Sequence, residues 1–186
     1  MPRPRACASK TARSCTATRC RRLIRGAGSE VERKWLVDQA PDEAFAAPAE
    51  RIEQGYLTIG SDGGETRVRR RGERCYLTVK SGAGLERAEH EIELSEAQFD
   101  ALWPATEGAR LVKRRHVMRA EDGHTIELDV YEGGLSGLMV AEVEFDDPWG
   151  ATAFVVPYWF GREVTDDPAY KNQRLAVGGR PAPRSP

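Results

Sequence analysis

Glu30, Glu32 and Lys34 alternate with Val31 and Arg33, and on a β-strand this spacing puts two carboxylates and an ammonium on one face. Such a face cannot be buried in hydrocarbon without partners. It suits a wet cavity in which carboxylate oxygens hold a hard divalent cation and the ammonium holds an anion. The same alternation returns along the chain. Arg67, Arg69 and Arg71 share one face, as do Tyr76, Thr78 and Lys80. Arg87, Glu89, Glu91 and Glu93 follow at strict i, i+2 spacing, then Lys113 with Arg115, Glu127 with Asp129, and Glu142 with Glu144. The opposite faces of the later strands are apolar: Ile126, Leu128 and Val130, then Met139, Ala141, Val143 and Phe145.

The elements that must carry these faces are strands near 30–37, 50–59, 65–71, 75–80, 87–94, 110–118, 124–131 and 138–145. Turn chemistry separates them at Ser61-Asp62-Gly63-Gly64, Arg71-Gly72-Glu73, Ser81-Gly82-Ala83-Gly84, Glu121-Asp122-Gly123 and Glu132-Gly133-Gly134. Short connections imply an antiparallel meander, and a sheet of that length tends to curl or close, which removes its edges. Helix signals are few. Ser95-Glu96-Ala97-Gln98 fits a capping box opening a helix over 95–103. Asp147-Pro148 fits the start of another running toward Phe154, and a last helical piece falls around 167–176. The expected fold is mainly β, an eight-stranded antiparallel β-barrel or tunnel with a few flanking helices.

One solvated face is the ordinary explanation for charged alternation in an antiparallel sheet. It sits poorly with this set, which is nearly all charge with few neutral polar residues. Closing the sheet turns the charges inward, where each needs a partner, hydration or a multiply charged ligand. Arg and Lys converging from several strands suit a polyanion, with bidentate contacts to phosphate oxygens. The Glu pairs suit Mg²⁺ or Mn²⁺, which take oxygen ligands and keep waters. Both signs in one cavity imply a metal–polyphosphate complex. No G-x-x-x-x-G-K-[ST] run is present, so this is not a P-loop site.

Composition limits the alternatives. The chain has 186 residues and a formal net charge of −1, but eight of its 28 Lys and Arg lie in residues 1–29, which hold no acid. That leaves 20 basic against 29 acidic residues over 30–186, a basic tail on an acidic domain. Residues 1–29 are read as a basic, disordered extension; an Arg-rich targeting segment and residues translated from a start codon placed too far upstream are the other readings. They contain no apolar stretch of the secretory kind, and nothing in the chain approaches the roughly 20 apolar residues of a membrane span. Cys7, Cys15 and Cys20 lie in this segment and Cys75 in the domain, with no C-x-x-C pair. No disulfide framework or zinc knuckle is implied, and a cytoplasmic location is the default. Residues 30–176 form the domain, and 177–186 a frayed Gly/Pro-rich tail.

Glu30-Val31-Glu32-Arg33-Lys34 resembles the E-x-E-x-K signature of the CYTH domain, or triphosphate tunnel metalloenzyme, superfamily. The resemblance extends over about 30–176, through Gln54-Gly55-Tyr56-Leu57, Arg67-Val68-Arg69, Tyr76 to Lys80, Arg87 to Glu91, Ile126 to Gly133, Leu138 to Phe145, Trp159 to Thr165 and Tyr170-Lys171-Asn172. It is most similar to the short, single-domain bacterial members that hydrolyse inorganic tripolyphosphate. The resemblance implies metal-binding carboxylates at Glu30, Glu32, Glu142 and Glu144, with Glu127 and Asp129 as further candidates. It implies triphosphate-binding cations at Lys34, Arg67, Arg69, Lys80, Arg87, Lys113 and Arg115, and Lys171 at one tunnel mouth. Glu89 and Glu91 are further tunnel carboxylates. The basic, cysteine-bearing tail departs from the family pattern, and there is no C-terminal CHAD-like extension.

The expected chemistry is metal-dependent hydrolysis of tripolyphosphate to pyrophosphate and phosphate. Lys34 and the Arg/Lys set hold the chain, Glu30, Glu32 and the Glu142/Glu144 pair hold the metal, and a second metal or a lumenal carboxylate activates water. Alternatives stay open: a class IV-type adenylate cyclase, a thiamine triphosphatase, a nucleotide or RNA 5′-triphosphatase, a polyphosphate- or nucleotide-binding module without turnover, or an adaptor acting through residues 1–29. The expected partner is a small-molecule triphosphate, with no membrane and no specific nucleic acid; the oligomeric state is left open. His90, His116 and His124 are read as outer-face or turn residues, Arg33 and Arg70 as outward surface charges, Glu93 as solvated, and Trp103, Trp149, Trp159 and Tyr158 as packing aromatics.

Overall fold

Alternation of charged and apolar residues becomes strand wherever turn residues interrupt it. The computed structural model describes residues 31–46, 48–81 and 88–182. Its strands are β1 (Val31–Leu36), β2 (Glu50–Ile59), β3 (Glu65–Arg71), β4 (Arg74–Ser81), β5 (Ala88–Leu94), β6 (Arg110–Arg119), β7 (Thr125–Tyr131) and β8 (Met139–Phe145). All eight join one antiparallel sheet, as expected. The tight turns after β2 and β6 are tied by an Asp carboxylate: Asp62 accepts from the Gly64 amide and Asp122 from the His124 amide, both at 3.0 Å.

Strand order differs from the expected meander. It runs β1-β8-β7-β6-β2-β3-β4-β5, two meanders joined by the β2–β6 pair, with β1 added beside β8. The connections explain this. After β1 the chain crosses the outer face, burying Val37 and Ala44 in the apolar cluster beneath and setting the Phe45 ring edge-on to His116, 5.0 Å away. After β5, helix α1 (Glu96–Leu102) buries Phe99 against Val68 and Cys75 and returns the chain to the free edge of β2. Each crossover covers an apolar outer face that otherwise meets water.

β1 and β5 are the sheet's two edges and are not paired with each other among the described residues. Charged side chains reach across one face all the same: Arg115 on β6 donates to Glu142 on β8, two strands away, at 2.7 Å.

Three helices and a strap finish the domain. Ser95 caps α1 as expected, its hydroxyl accepting from the Gln98 amide while the Gln98 side chain accepts from the Ser95 amide. Helix α2 (Pro148–Ala153), capped by Asp147, turns Ala151 inward, and Phe154 follows it into the core. Those spacings leave Trp149 and Tyr158 outside, 82% and 90% exposed, so neither is the packing aromatic expected of it. Trp103 and Trp159 do pack, on Phe99 and Phe160. Helix α3 (Asn172–Gly178) buries Leu175 against Leu111, Tyr131 and Val140 and so closes one end of the concave face. The Tyr131 hydroxyl donates to Asn172 Oδ1 at 2.6 Å. No helix among the described residues is long and apolar enough to cross a membrane.

One close approach fixes β2. A Cβ on Gly55 would lie 2.4 Å from Thr106 Oγ1, and Thr106 is fully buried and held by Arg110 and the Trp103 carbonyl. Gly55→Ala is therefore expected to cost roughly 1–3 kcal/mol by overpacking, lowering the melting temperature by several degrees. Gly134→Ala, which meets nothing within 4 Å, should leave it unchanged in the same thermal scan.

Candidate active site on the concave face

Register decides which side chains meet, because directly opposed residues of an antiparallel pair share a face. Glu32 lies opposite Glu144 and Lys34 opposite Glu142; Glu142 lies opposite Glu127. Arg115 lies opposite Asp129 and Lys113 opposite Tyr131. Across β2, Ile52 faces Lys113 and Gln54 faces Arg69. Thr78 stands between Arg67 on one side and Glu91 on the other, and Lys80 between Glu65 and Glu89. The described site candidates on the strands therefore line one continuous face. Glu30 and Arg87 lie outside the described residues. Lys171 is exposed at the start of α3 and takes part in none of these ion pairs.

Two walls differ in character. On β1, β8, β7 and β6, Lys34, Lys113, Arg115, Asp129 and Glu142 are largely buried and mutually bound, while Glu32 is partly open to solvent and Glu144 is exposed. Lys34 Nζ donates to Glu142 at 2.7 Å and lies 3.1 Å from Glu32. Arg115 reaches Glu142 and both oxygens of Asp129 at 2.7 Å and also pairs with Glu127. Lys113 pairs with Asp129, the two being 2% and 0% exposed. On β3, β4 and β5, Arg67 and Arg69 are set as deeply as Arg115 and Lys34, but the β5 acids beside them are exposed: Arg69 meets Glu91 at 2.9 Å, and Lys80 meets Glu89 at 2.9 Å. Arg67 meets Glu65 at 3.0 Å, with Glu89 farther off at 3.8 Å. Glu93 is exposed, as expected.

Proton affinities follow this lattice. Burial opposes a charge on Glu142, but Lys34, Lys113 and Arg115 overcome it and hold that carboxyl well below the usual glutamate value. Burial likewise opposes a charge on Lys34, and Glu142 and Glu32 reverse the effect, raising it. Lys113 goes the other way: burial lowers it, Asp129 only partly restores it, and Arg115 lowers it further. Glu32 is raised, first by burial and then by repulsion from Glu142, against the pull of Lys34.

Buried Nε–H donors on Arg67 and Arg69 have no hydrogen-bond partner. Unmatched buried donors are costly and rare. Here two stand side by side on the concave face, and Arg69 is lowered by burial and by the charge of Arg67. A multiply charged anion satisfies both deficits at once.

The sequence reading named no site residue on β2, whose part of this face is neutral. Gln54 and Tyr56 are buried on it, the Gln54 amide donating to the Tyr56 hydroxyl at 2.6 Å. A bulge after Tyr56 ends the inward alternation of β2. The period-2 parity of Gln54 and Tyr56 carried the signal, but neutral residues drew no notice in a search for charge. Arg33 and Arg70 do face outward, yet they are more than surface charges. Each lies over a ring, Trp35 at 4.6 Å and Phe99 at 4.4 Å, and each pairs with acids.

No protein-family model matches the sequence. The chain is 49% identical over 150 residues to the inorganic triphosphatase of Nitrosomonas europaea, covering 80% of this chain and 97% of that protein. It is 32% identical over 151 residues to the inorganic triphosphatase of Acetivibrio thermocellus, covering 80% and 93%. The chain belongs to the inorganic triphosphatase family. A crystal structure of an inorganic triphosphatase superposes with a TM-score of 0.64 at 45% identity, covering 80% of this chain and 95% of that one. A Hippeastrum protein described as an adenylyl cyclase with dominant triphosphatase activity matches with a TM-score of 0.51 at 16% identity, covering 66% and 82%, and shows the fold alone.

A triphosphatase of this tunnel type implies a divalent metal, and the donor set fits one. Glu32 is an anion made unfavourable by burial and by Glu142, a defect that a hard cation relieves through oxygen ligation. Among the described residues no three potential ligands are gathered as a ready cage.

The raised pKa of Glu32 has a measurable sign. Its contribution to stability is intact below its ordinary 4.5 and is lost as pH rises through the raised native value. In chelator, Glu32→Gln should therefore raise the melting temperature at pH 8, and the gain should vanish as pH falls toward 4.5. A loss at pH 8 would mean that Lys34 stabilises the anion more than burial penalises it.

Proposed function

We propose that this triphosphatase family member hydrolyses inorganic tripolyphosphate to pyrophosphate and phosphate on the concave face, with Mg²⁺ or Mn²⁺. The paired unmatched Nε–H donors of Arg67 and Arg69 carry this reading. They ask for a ligand with several adjacent anionic oxygens, and the names of both relatives supply the class.

In this reading the phosphoryl chain lies along β3 and β4. Arg67, Arg69 and Lys80 take its oxygens in place of the half-exposed Glu89 and Glu91. Lys34 and Arg115 face its far end from the opposite wall. Glu32 and Glu142 would hold the divalent ion, with Glu144, Glu127 and Asp129 behind them. When bound, that ion neutralises charge on the phosphoryl oxygens. Phosphoryl transfer asks the protein mainly for position and neutralisation, and the two walls supply both.

Water attacks the terminal phosphorus, the P–O bond to the pyrophosphate leaving group breaks, and the water's proton needs an acceptor. Glu142 is a poor acceptor, because Lys34, Lys113 and Arg115 hold it as an anion. A lumenal carboxylate less tightly bound takes the proton. Arg69→Ala should raise KM about tenfold or more, the worth of a hydrogen bond to a charged group.

The deciding assay measures phosphate release from tripolyphosphate, ATP, thiamine triphosphate and pyrophosphate, each with Mg²⁺ and with Mn²⁺. Tripolyphosphate is expected to turn over fastest. Preference for ATP with a cyclic product would replace the hydrolase reading with a cyclase one.

A further inference from the structure

Lys34 sits on the outermost strand of the sheet, where one backbone edge has no strand neighbour. That position is awkward for a residue whose ammonium must be placed accurately. The edge is covered by the strap at 161–165. Its backbone pairs along β1: Gly161 N–H donates to the Leu36 carbonyl at 2.8 Å, the Leu36 amide to the Arg162 carbonyl at 2.9 Å, and the Val164 amide to the Lys34 carbonyl at 2.8 Å. At Lys34 itself the pattern changes. Its amide donates to a side chain, the Thr165 hydroxyl, at 3.0 Å.

That hydroxyl belongs to a closed circuit. Thr165 Oγ1 gives its own proton to Glu163 Oε1 at 2.7 Å, so its lone pairs face the Lys34 amide. The Glu163 carboxylate is gripped bidentately by Arg33, with Nε at 2.9 Å and Nη2 at 2.6 Å. Arg33 Nη1 donates to the Ala151 carbonyl at the end of α2, at 2.7 Å, and its guanidinium lies on the Trp35 ring. Arg33 is the residue just before Lys34, and its side chain points the opposite way. The circuit thus clamps the Lys34 amide from the outer face while the Lys34 ammonium works on the concave face. Gly161 permits the approach, since a Cβ there would lie 2.9 Å from the Leu36 carbonyl oxygen.

We propose that Arg33, Glu163 and Thr165 are positioning residues that set the height and rotation of Lys34 against the phosphoryl chain. They touch no substrate and act through the β1 backbone. The inference rests on the triphosphatase reading of Lys34, and the test separates the two. A misplacement near 1 Å at a reacting centre costs up to about 100-fold, so the effect is large enough to read.

The variants are Thr165→Val, which removes the acceptor and keeps the shape, and Thr165→Ser, which keeps the hydroxyl. Glu163→Gln weakens the grip on Arg33, and Lys34→Met is the reference. Each is assayed with tripolyphosphate for kcat and KM, alongside thermal melting and amide exchange at Lys34. Thr165→Val should lower kcat/KM by about tenfold and speed exchange of the Lys34 amide, with Thr165→Ser close to wild type and Glu163→Gln between them. In the Lys34→Met background, Thr165→Val should add nothing further, because its route to the substrate is gone.

Loss of activity in Lys34→Met with wild-type kinetics in Thr165→Val would overturn the relay and leave the functional reading intact. Full activity in Lys34→Met would overturn the functional reading instead. A Thr165→Val loss that is the same in both backgrounds, with a matching fall in melting temperature, would show a merely structural role and reject the proposal. Should Thr165→Val fail to fold, Glu163→Gln carries the same comparison.

Discussion

Arg115 ties three carboxylates on two strands, Glu127 and Asp129 on β7 and Glu142 on β8, and the concave face depends on that tie. Without it Glu142 retains only Lys34 and the field of Lys113, and Asp129 retains only Lys113. Removing one partner from a buried ion pair costs roughly 3–5 kcal/mol, because the remaining charge stays dehydrated. Such a face can exist only if every ionised group on one strand finds its opposite on the next, which makes cross-strand register the controlling variable. A slip of one residue in β6 would send both Lys113 and Arg115 to the outer face and bring only Arg114 inward, one guanidinium in place of two cations. The apolar clusters under α1 and α2 therefore also hold the charges in step, as they fix the same register from the other side.

A second constraint follows from closing one end. α3 seals the concave face with Leu175 and the Tyr131–Asn172 bond, so apolar packing begins one residue pair beyond Lys113. This removes water from the base of the site, and removal of water is what depresses Lys113 and strengthens every pairing near it. The core, the plug and the altered proton affinity are thus one physical arrangement.

The sequence displayed faces well and neighbours poorly. Period-2 alternation states which residues share a side, and strand limits near 50–59, 65–71 and 124–131 could be read from it. Alternation does not state which strand lies beside which, so the placing of β1 next to β8 had no local signal; it comes from crossovers that cover apolar faces. Charge made Lys34, Arg69 and Glu142 conspicuous, while Gln54 and Tyr56 entered only as part of the family resemblance and not as site residues, because neutral residues do not violate any expectation of burial. Trp149 and Tyr158 failed in the opposite sense. Aromatic type suggested packing, but a six-residue helix has room to bury only Ala151 on that side. The circuit through Arg33 was also invisible, because its members lie 130 residues apart.

The asymmetry between the walls bears on how a polyanion enters. Glu142 and Asp129 are locked by several short contacts in a dehydrated setting, and exchanging them for phosphate would forfeit most of that pairing. Glu89 and Glu91 sit on an open edge strand with side chains 48% and 36% exposed, and exposed pairs of this kind are worth only about 0–1 kcal/mol. An incoming phosphoryl chain therefore displaces the β5 acids far more cheaply than those of β7 and β8. Released, Glu89 and Glu91 regain water at the rim, whereas the inner acids have no such refuge. The site thus divides its labour. One wall is already neutralised and keeps its geometry, and the other surrenders weak counterions so that Arg69 and Lys80 are freed for the ligand. An unpaired β5 edge, at first sight a defect in the tunnel, is what makes that exchange inexpensive.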